Sequence, residues 1–200
     1  MLDKEILDDG LDEIIIGYAE KEYTLRELRE TANYYKSSDP NIDKTKEKHS
    51  KIYNYPEQII PYEILKNTYN LDENFKEIWR PVPLETKLKY CVSNLGRIAV
   101  DFGNNKREIL IQDDISGKKG YLIISYENTA KNLGKLNHSI CIYQFIAHAF
   151  LMHTSDDYTK HIHHIDNNGY DCRPENLILL TPRQHSKVHG FFVSGDNVLN

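Results

Sequence analysis

Cysteine is scarce in this 200-residue chain: Cys91, Cys141 and Cys172 stand far apart, with no CxxC pair among them. That spacing excludes a disulfide framework and a four-cysteine zinc knuckle, and makes a reducing cytoplasm the expected compartment. Long apolar runs are also missing. The longest, ICIYQFIAHAFLM, is interrupted by Gln144 and His148, and the N-terminus MLDKEILDDG is acidic where a secretory signal is basic and then apolar. Neither export nor a membrane span is expected. Nor does the chain carry an internal repeat, a GxxxxGK phosphate loop, an HExxH zinc helix or a GxSxG elbow, so the common phosphate-loop, metalloprotease and serine-hydrolase chemistries have no foothold. A content of 40% hydrophobic and 10% aromatic residues is nevertheless enough for a folded core.

Positive charge is not in excess either, since the net charge is -5. Its distribution is uneven. Residues 1–80 hold 18 Asp and Glu against 12 Lys and Arg, whereas residues 81–200 hold 12 against 13. The acidic surplus therefore belongs to the N-terminal part and does not keep the remainder from binding a polyanion. It does argue against tight binding driven by charge alone.

The stretch TLRELRETANYYK predicts an amphipathic helix, with Leu25, Leu28, Ala32 and Tyr35 on one face and a capping box from Thr24 to Glu27. Residues 37–56 are polar and aperiodic and read as a linker or surface loop. A second short helix is expected over PYEILKNTYNL, from Pro61. A DNA-reading arm and a partner-docking element are conceivable, but a helical brace on the main domain is the favoured reading of this part. From Trp79 the pattern changes to short β-branched and aromatic runs, YCVSNLGRIAV, REILIQ, GYLIISY and SICIY, which predict a small antiparallel sheet followed by a helix over Tyr143 to Leu151.

Histidine is what the chain has in concentration: five of its nine fall within residues 161–190, HIHHIDNNGYDCRPENLILLTPRQHSKVHG. Asn167, Asn168 and Gly169 signal a turn between two strands. Thr181 as N-cap, Pro182 in the first turn and Gly190 past the end then delimit a helix. His185 and His189 lie four apart on that helix and can hold one cation from the same side. His163 can supply a third ligand, leaving a position open for water or substrate. Adjacent strand residues face opposite ways, so His164 can join the same site only where the strand ends, twists or bulges. There it is the candidate general base, because a nearby dication opposes its protonation.

The pattern HHIDNN...RPENLILL...QHSKVH resembles the ββα-metal motif of the HNH endonucleases, with His164, Asn176 and His185 in the H, N and H positions. His163 directly before the base resembles the colicin-type members, which also use two helix histidines. Upstream, EIWRPVP...YCVSNLGRI...GYLIIS...IYQFIAHAFL resembles the NUMOD4 module that precedes HNH in many phage and homing nucleases. The resemblance implies an α+β fold: a C-terminal ββα-metal unit packed on a small antiparallel sheet module, with a helical N-terminal extension. The expected segments are 1–72 for the extension and linker, 77–134 for the sheet module and 135–200 for the nuclease domain.

It further implies a DNA endonuclease leaving 5′-phosphate and 3′-hydroxyl ends. The expected cofactor is one divalent ion, Zn, Mg, Mn or Ni, held by His163, His185 and His189. His164 is the expected base, and Asn176 is the amide that holds the loop beneath it. Candidate DNA contacts are Arg80, Arg97, Arg107, Arg173, Arg183 and Lys187. The expected setting is the cytoplasm of a bacterial or phage-infected host cell, with DNA as partner and no membrane; the sequence sets no oligomeric state, a homodimer included. His161 is expected at the substrate rim, His148 and His153 in structural roles, Cys172 as loop filler, and Asp166 pinning the turn. The rival reading is a non-catalytic DNA- or protein-binding module stapled by zinc. The spare His164 disfavours it, since a structural zinc closes its ligand set and has no use for a base.

Overall fold

Thr24 closes the expected box onto Glu27, with the Glu27 amide donating to Thr24 Oγ1 at 3.1 Å and the Thr24 amide to Glu27 Oε2 at 2.7 Å. This starts helix α1, Leu25–Lys36, whose Leu25, Leu28 and Ala32 form one buried stripe. The computed structural model describes residues 10–36, 62–83, 87–104, 106–110, 113–114, 122–127, 137–154, 157 and 159–190. The anticipated linker over 37–56 lies outside them.

The N-terminal part is not purely helical. Strands β1, Ile14–Ile16, and β2, Glu22–Thr24, form an antiparallel hairpin ahead of α1. Its connection puts Ala19 and Glu20 at φ of 57° and 60°, without the Asn-Gly or Asp-Gly pair that announces a hairpin in sequence. Strands of three residues leave too little alternation to be recognised.

The expected short helix is α2, Tyr62–Tyr69. The β-rich middle forms two antiparallel sheets. One holds β3, Trp79–Pro81, β4, Tyr90–Ser93, β5, Ile98–Asp101, and β6, Arg107–Ile109, in consecutive order. The other holds β7, Asp113–Asp114, β8, Leu122–Glu127, and β9, Asn137–Cys141. Helix α3, Ile142–Phe150, follows β9 directly and is the expected helix within a residue at each end. The C-terminal unit is strand β10, His161–His164, a loop with one 3-10 turn at Pro174–Asn176, strand β11, Leu177–Leu180, and helix α4, Pro182–His189.

Among the described residues three buried clusters tie these parts together, the smallest packing Leu65 of α2 against Leu95. Ile142, Phe145, Ile146 and Phe150 of α3 pack with Tyr90, Val92, Ile98 and Val100 of the sheet and with Cys172 and Leu177 of the C-terminal unit. Leu11, Leu25, Leu28 and Ala32 pack with Ile178 and Leu180 of β11 and Val188 of α4. The N-terminal segment thus braces the C-terminal helix, and polar contacts extend the brace: Gln184 Nε2 donates to Glu13 Oε1 at 2.6 Å, and Lys187 Nζ to the Gly10 carbonyl at 3.3 Å. Gly96 sets how closely the sheet approaches the C-terminal loop. Its φ is +75°, and a Cβ there would lie 3.1 Å from the Cys172 carbonyl carbon and 3.2 Å from the Arg173 nitrogen. A side chain at that position would both strain the turn and push the loop away.

Candidate active site

Helix α4 begins where its sequence says it should. Thr181 Oγ1 accepts from the Gln184 amide at 3.2 Å, and Gln184 Oε1 accepts from the Thr181 amide at 2.7 Å. Gly190 ends the helix in the left-handed region at φ 73°. With both ends fixed, His185 and His189 fall one turn apart; their ring centroids are 4.5 Å apart and their Nε2 atoms 3.2 Å apart.

Strand β10 brings the third imidazole. His163 pairs with Ile178 in the antiparallel register, and its ring centroid lies 5.4 Å from that of His185 and 5.0 Å from that of His189. One donor atom from each of the three lies within 4.8 Å of the others. Burial first, then the neighbouring His189 and His161, pushes His185 down to about 4. It is therefore neutral at pH 7, the form in which imidazole binds a metal. Donor type, protonation and convergence all fit one divalent ion.

His164 lies in the same cleft, of about 410 Å³, as this cluster without belonging to it. Strand alternation alone would send it to the other face. The strand stops at His164, however, and a turn follows in which the Asn167 amide donates to the His164 carbonyl at 2.9 Å, with Asn167 at φ 55°. The His164 ring is buried and stands edge-on to Tyr143 of α3 at 4.9 Å between centroids. Burial pushes it down to about 4, against the pull of Asp171, so it too is neutral at pH 7.

Asn176 organises the loop beneath. Its Nδ2 donates to Asp166 Oδ1 at 2.8 Å and to the Asp171 carbonyl at 2.9 Å, and its Oδ1 accepts from the Asp166 amide at 3.1 Å. Asp166 Oδ1 also accepts from the Asn168 amide at 2.9 Å, which pins the turn. Cys172 is buried, its thiol donates to the Gly169 carbonyl at 3.7 Å, and burial raises it far above the ordinary thiol range. It therefore stays a thiol at neutral pH.

Asp166 carries a testable cost. Burial first, then the charge of Asp171, raises it to about 7, whereas an unfolded Asp titrates near 3.9. The folded state thus holds this proton more tightly, and stability falls as pH rises from about 4 to about 7. Asp166→Asn keeps an oxygen for both donors and removes the charge. In chelator-treated protein the variant should be more stable than the parent by roughly 2–4 kcal/mol at pH 8 and nearly equal at pH 4. A stability difference that does not grow with pH in denaturant titrations would show that Asp166 ionises freely.

The six basic candidates divide. Arg97 is committed to Glu77, both side chains being nearly buried. Arg173 is held by Asp171, with Nε to Oδ1 at 2.8 Å and Nη2 to Oδ2 at 2.6 Å, as well as by Glu175, and it stacks on Tyr69 of α2 at 3.8 Å. Both are internal struts. Arg80 is exposed, reaching the Ala149 carbonyl at 3.4 Å, and so are Arg107 and Arg183; Lys187 is partly buried against Gly10. None of the six lines the cleft, but Lys160, Tyr143, Gln144 and His153 do. Lys160 precedes the first histidine of the knot and was the readable signal for a cation there; no local pattern marks the other three.

The ββα hairpin-helix unit thus brings three imidazoles together across it, with a fourth, His164, in the same cleft. Residues 148–187 match the family model described as HNH endonuclease. An uncharacterized HNH endonuclease of Acanthamoeba polyphaga mimivirus is 30% identical over 118 residues, 59% of this chain and 27% of that protein. The chain therefore spans about a quarter of the length of the curated relative it matches. No solved structure matches. Among the described residues no helix is long and apolar enough to cross a membrane.

Proposed function

We propose that this chain is a metal-dependent endonuclease of phage or mobile-element type, hydrolysing DNA phosphodiester bonds to leave 5′-phosphate and 3′-hydroxyl ends. One observation carries the reading: a buried, neutral His164 shares a cleft with the His163, His185 and His189 cluster but is not part of it. A zinc staple would have no use for it. The bound ion would stabilise the phosphoryl charge and the departing oxygen. His164 takes the proton from the attacking water, Tyr143 holds the imidazole ring edge-on, and Asn176 keeps the loop in place. Lys160 adds positive charge at the cleft for the phosphate. No covalent intermediate is needed, because among the described residues lining the cleft no side chain is an activated nucleophile.

Arg80, Arg107, Arg183 and Lys187 are the proposed contacts to the DNA backbone, with Arg97 and Arg173 in supporting roles through their ion pairs. The NUMOD4-like middle, 77–134, is proposed to help seat the duplex on the nuclease part, 135–200, while residues 10–36 of the N-terminal extension, 1–72, brace it. Imidazole ligands favour Zn²⁺, Ni²⁺ or Mn²⁺ over Mg²⁺. The proposed setting is the cytoplasm of a bacterial or phage-infected cell.

The test is incubation of purified protein with plasmid and short duplexes, metal by metal, with end-labelled product analysis. Cleavage that needs a divalent ion and leaves 5′-phosphates supports the reading; binding without cleavage under every ion removes it. For the ligand set, His185→Ala should weaken metal binding by more than about 100-fold, exceeding what loss of an outer partner costs. Unchanged affinity by calorimetry would take His185 out of the set.

A further inference from the structure

Three imidazoles leave a tetrahedral ion one position short, and the cleft contains two more imidazoles besides His164, those of His153 and His161, of which His161 is the one against His185. His161 lies two residues before His163 on β10, hence on the same face of the strand. Its register partner is Leu180, the residue before the Thr181 cap, so the strand passes beside the first turns of α4 at this point. Its ring centroid is 5.3 Å from that of His185, against 5.4 Å for His163 to the same ring. By that measure His161 is as near His185 as His163 is, while its ring nitrogens stand outside the three-histidine cluster, so that a rotation of this exposed side chain would be what brings it onto the ion. It differs in exposure: His163 is buried, whereas His161 is open to solvent.

Resting on the metal reading above, we propose that His161 is a displaceable fourth ligand, closing the metal site in the absence of DNA and yielding its place to a phosphate oxygen of the substrate. The exchange balances without a co-reactant: one nitrogen-to-ion bond breaks, one oxygen-to-ion bond forms, and a neutral imidazole swings out. Its position on the solvent side suits this, because an exposed side chain has room to rotate away while His163, packed in the strand, does not. The device would give tight resting affinity for Zn²⁺ and keep the ion from open solution until a phosphodiester arrives.

The test compares parent, His161→Ala and His185→Ala by Zn²⁺ competition with a chromophoric chelator, and by visible absorption of the Co²⁺-loaded proteins with and without inorganic phosphate. His161→Ala should bind Zn²⁺ at least about tenfold more weakly, the lower end of what losing an outer partner of a metal site costs. Co²⁺-loaded parent should show the strong absorption of a four-nitrogen tetrahedral site and lose intensity on adding phosphate, whereas His161→Ala should start from the weaker spectrum. Equal affinity and equal spectra in parent and His161→Ala would overturn the proposal. A parent spectrum that differs from the variant's but ignores phosphate would overturn the displacement, leaving a permanently closed site. If His185→Ala also kept full affinity, the failure would be that of the metal reading itself.

Discussion

His164→Ala is expected to cleave DNA about 10² to 10⁴ times more slowly than the parent, the range typical of a positioned general base, while still binding duplex and metal. The geometry assigns it neither of those tasks. Its nitrogens are outside the cluster formed by His163, His185 and His189, and its ring is packed on Tyr143, 4.9 Å away, within the shared cleft. Being neutral at working pH, with burial holding it near 4, it can accept a proton rather than lose one. The measurement is single-turnover cleavage alongside calorimetric metal binding. Cutting at the parent rate would end the base assignment. Loss of metal instead would make His164 a ligand, and His163 would take over as the candidate base.

Leu28→Ala is expected to lower folding stability by about 2–5 kcal/mol, the usual cost of truncating a fully buried leucine. Leu28 is 1% exposed and lies in the core that joins α1 to Ile178, Leu180 and Val188. Val188 sits between His185 and His189 in the sequence, so a cavity here loosens the helix that carries both. The variant should regain part of its loss on adding Zn²⁺, since ligand bound to the folded state stabilises it by mass action. A variant as stable as the parent in denaturant titrations, with and without Zn²⁺, would show that the N-terminal segment is an appendage and not a brace.

Much of the site could be read without coordinates because its signals are local. The cap at Thr181, the stop at Gly190 and the spacing of His185 and His189 each depend on residues four or fewer positions apart, and α-helical geometry converts such spacing directly into shared faces. The Asn167-Asn168-Gly169 turn and the Thr24 to Glu27 box are of the same kind. The strand pattern put His163 where its ring meets His185 and His189, and the sequence set His164 apart as the candidate base, a role that remains a proposal.

What sequence left undecided depends on contacts that no periodicity encodes. Whether His164 shares the cleft was settled by where β10 stops and by Tyr143 of α3 closing over it. Arg97 and Arg173 look no different in sequence from Arg80 and Arg107, yet Glu77 and Asp171 claim them. The β1 and β2 hairpin is too short to announce itself, and Glu13, the residue before it, meets Gln184 across 171 positions. Sequence thus determined the secondary elements and the identity of the imidazoles, whose pattern follows from backbone geometry. Only the tertiary structure decided which groups face the cleft and which are tied up as struts, because burial and pairing are set by the packing of segments distant in the chain.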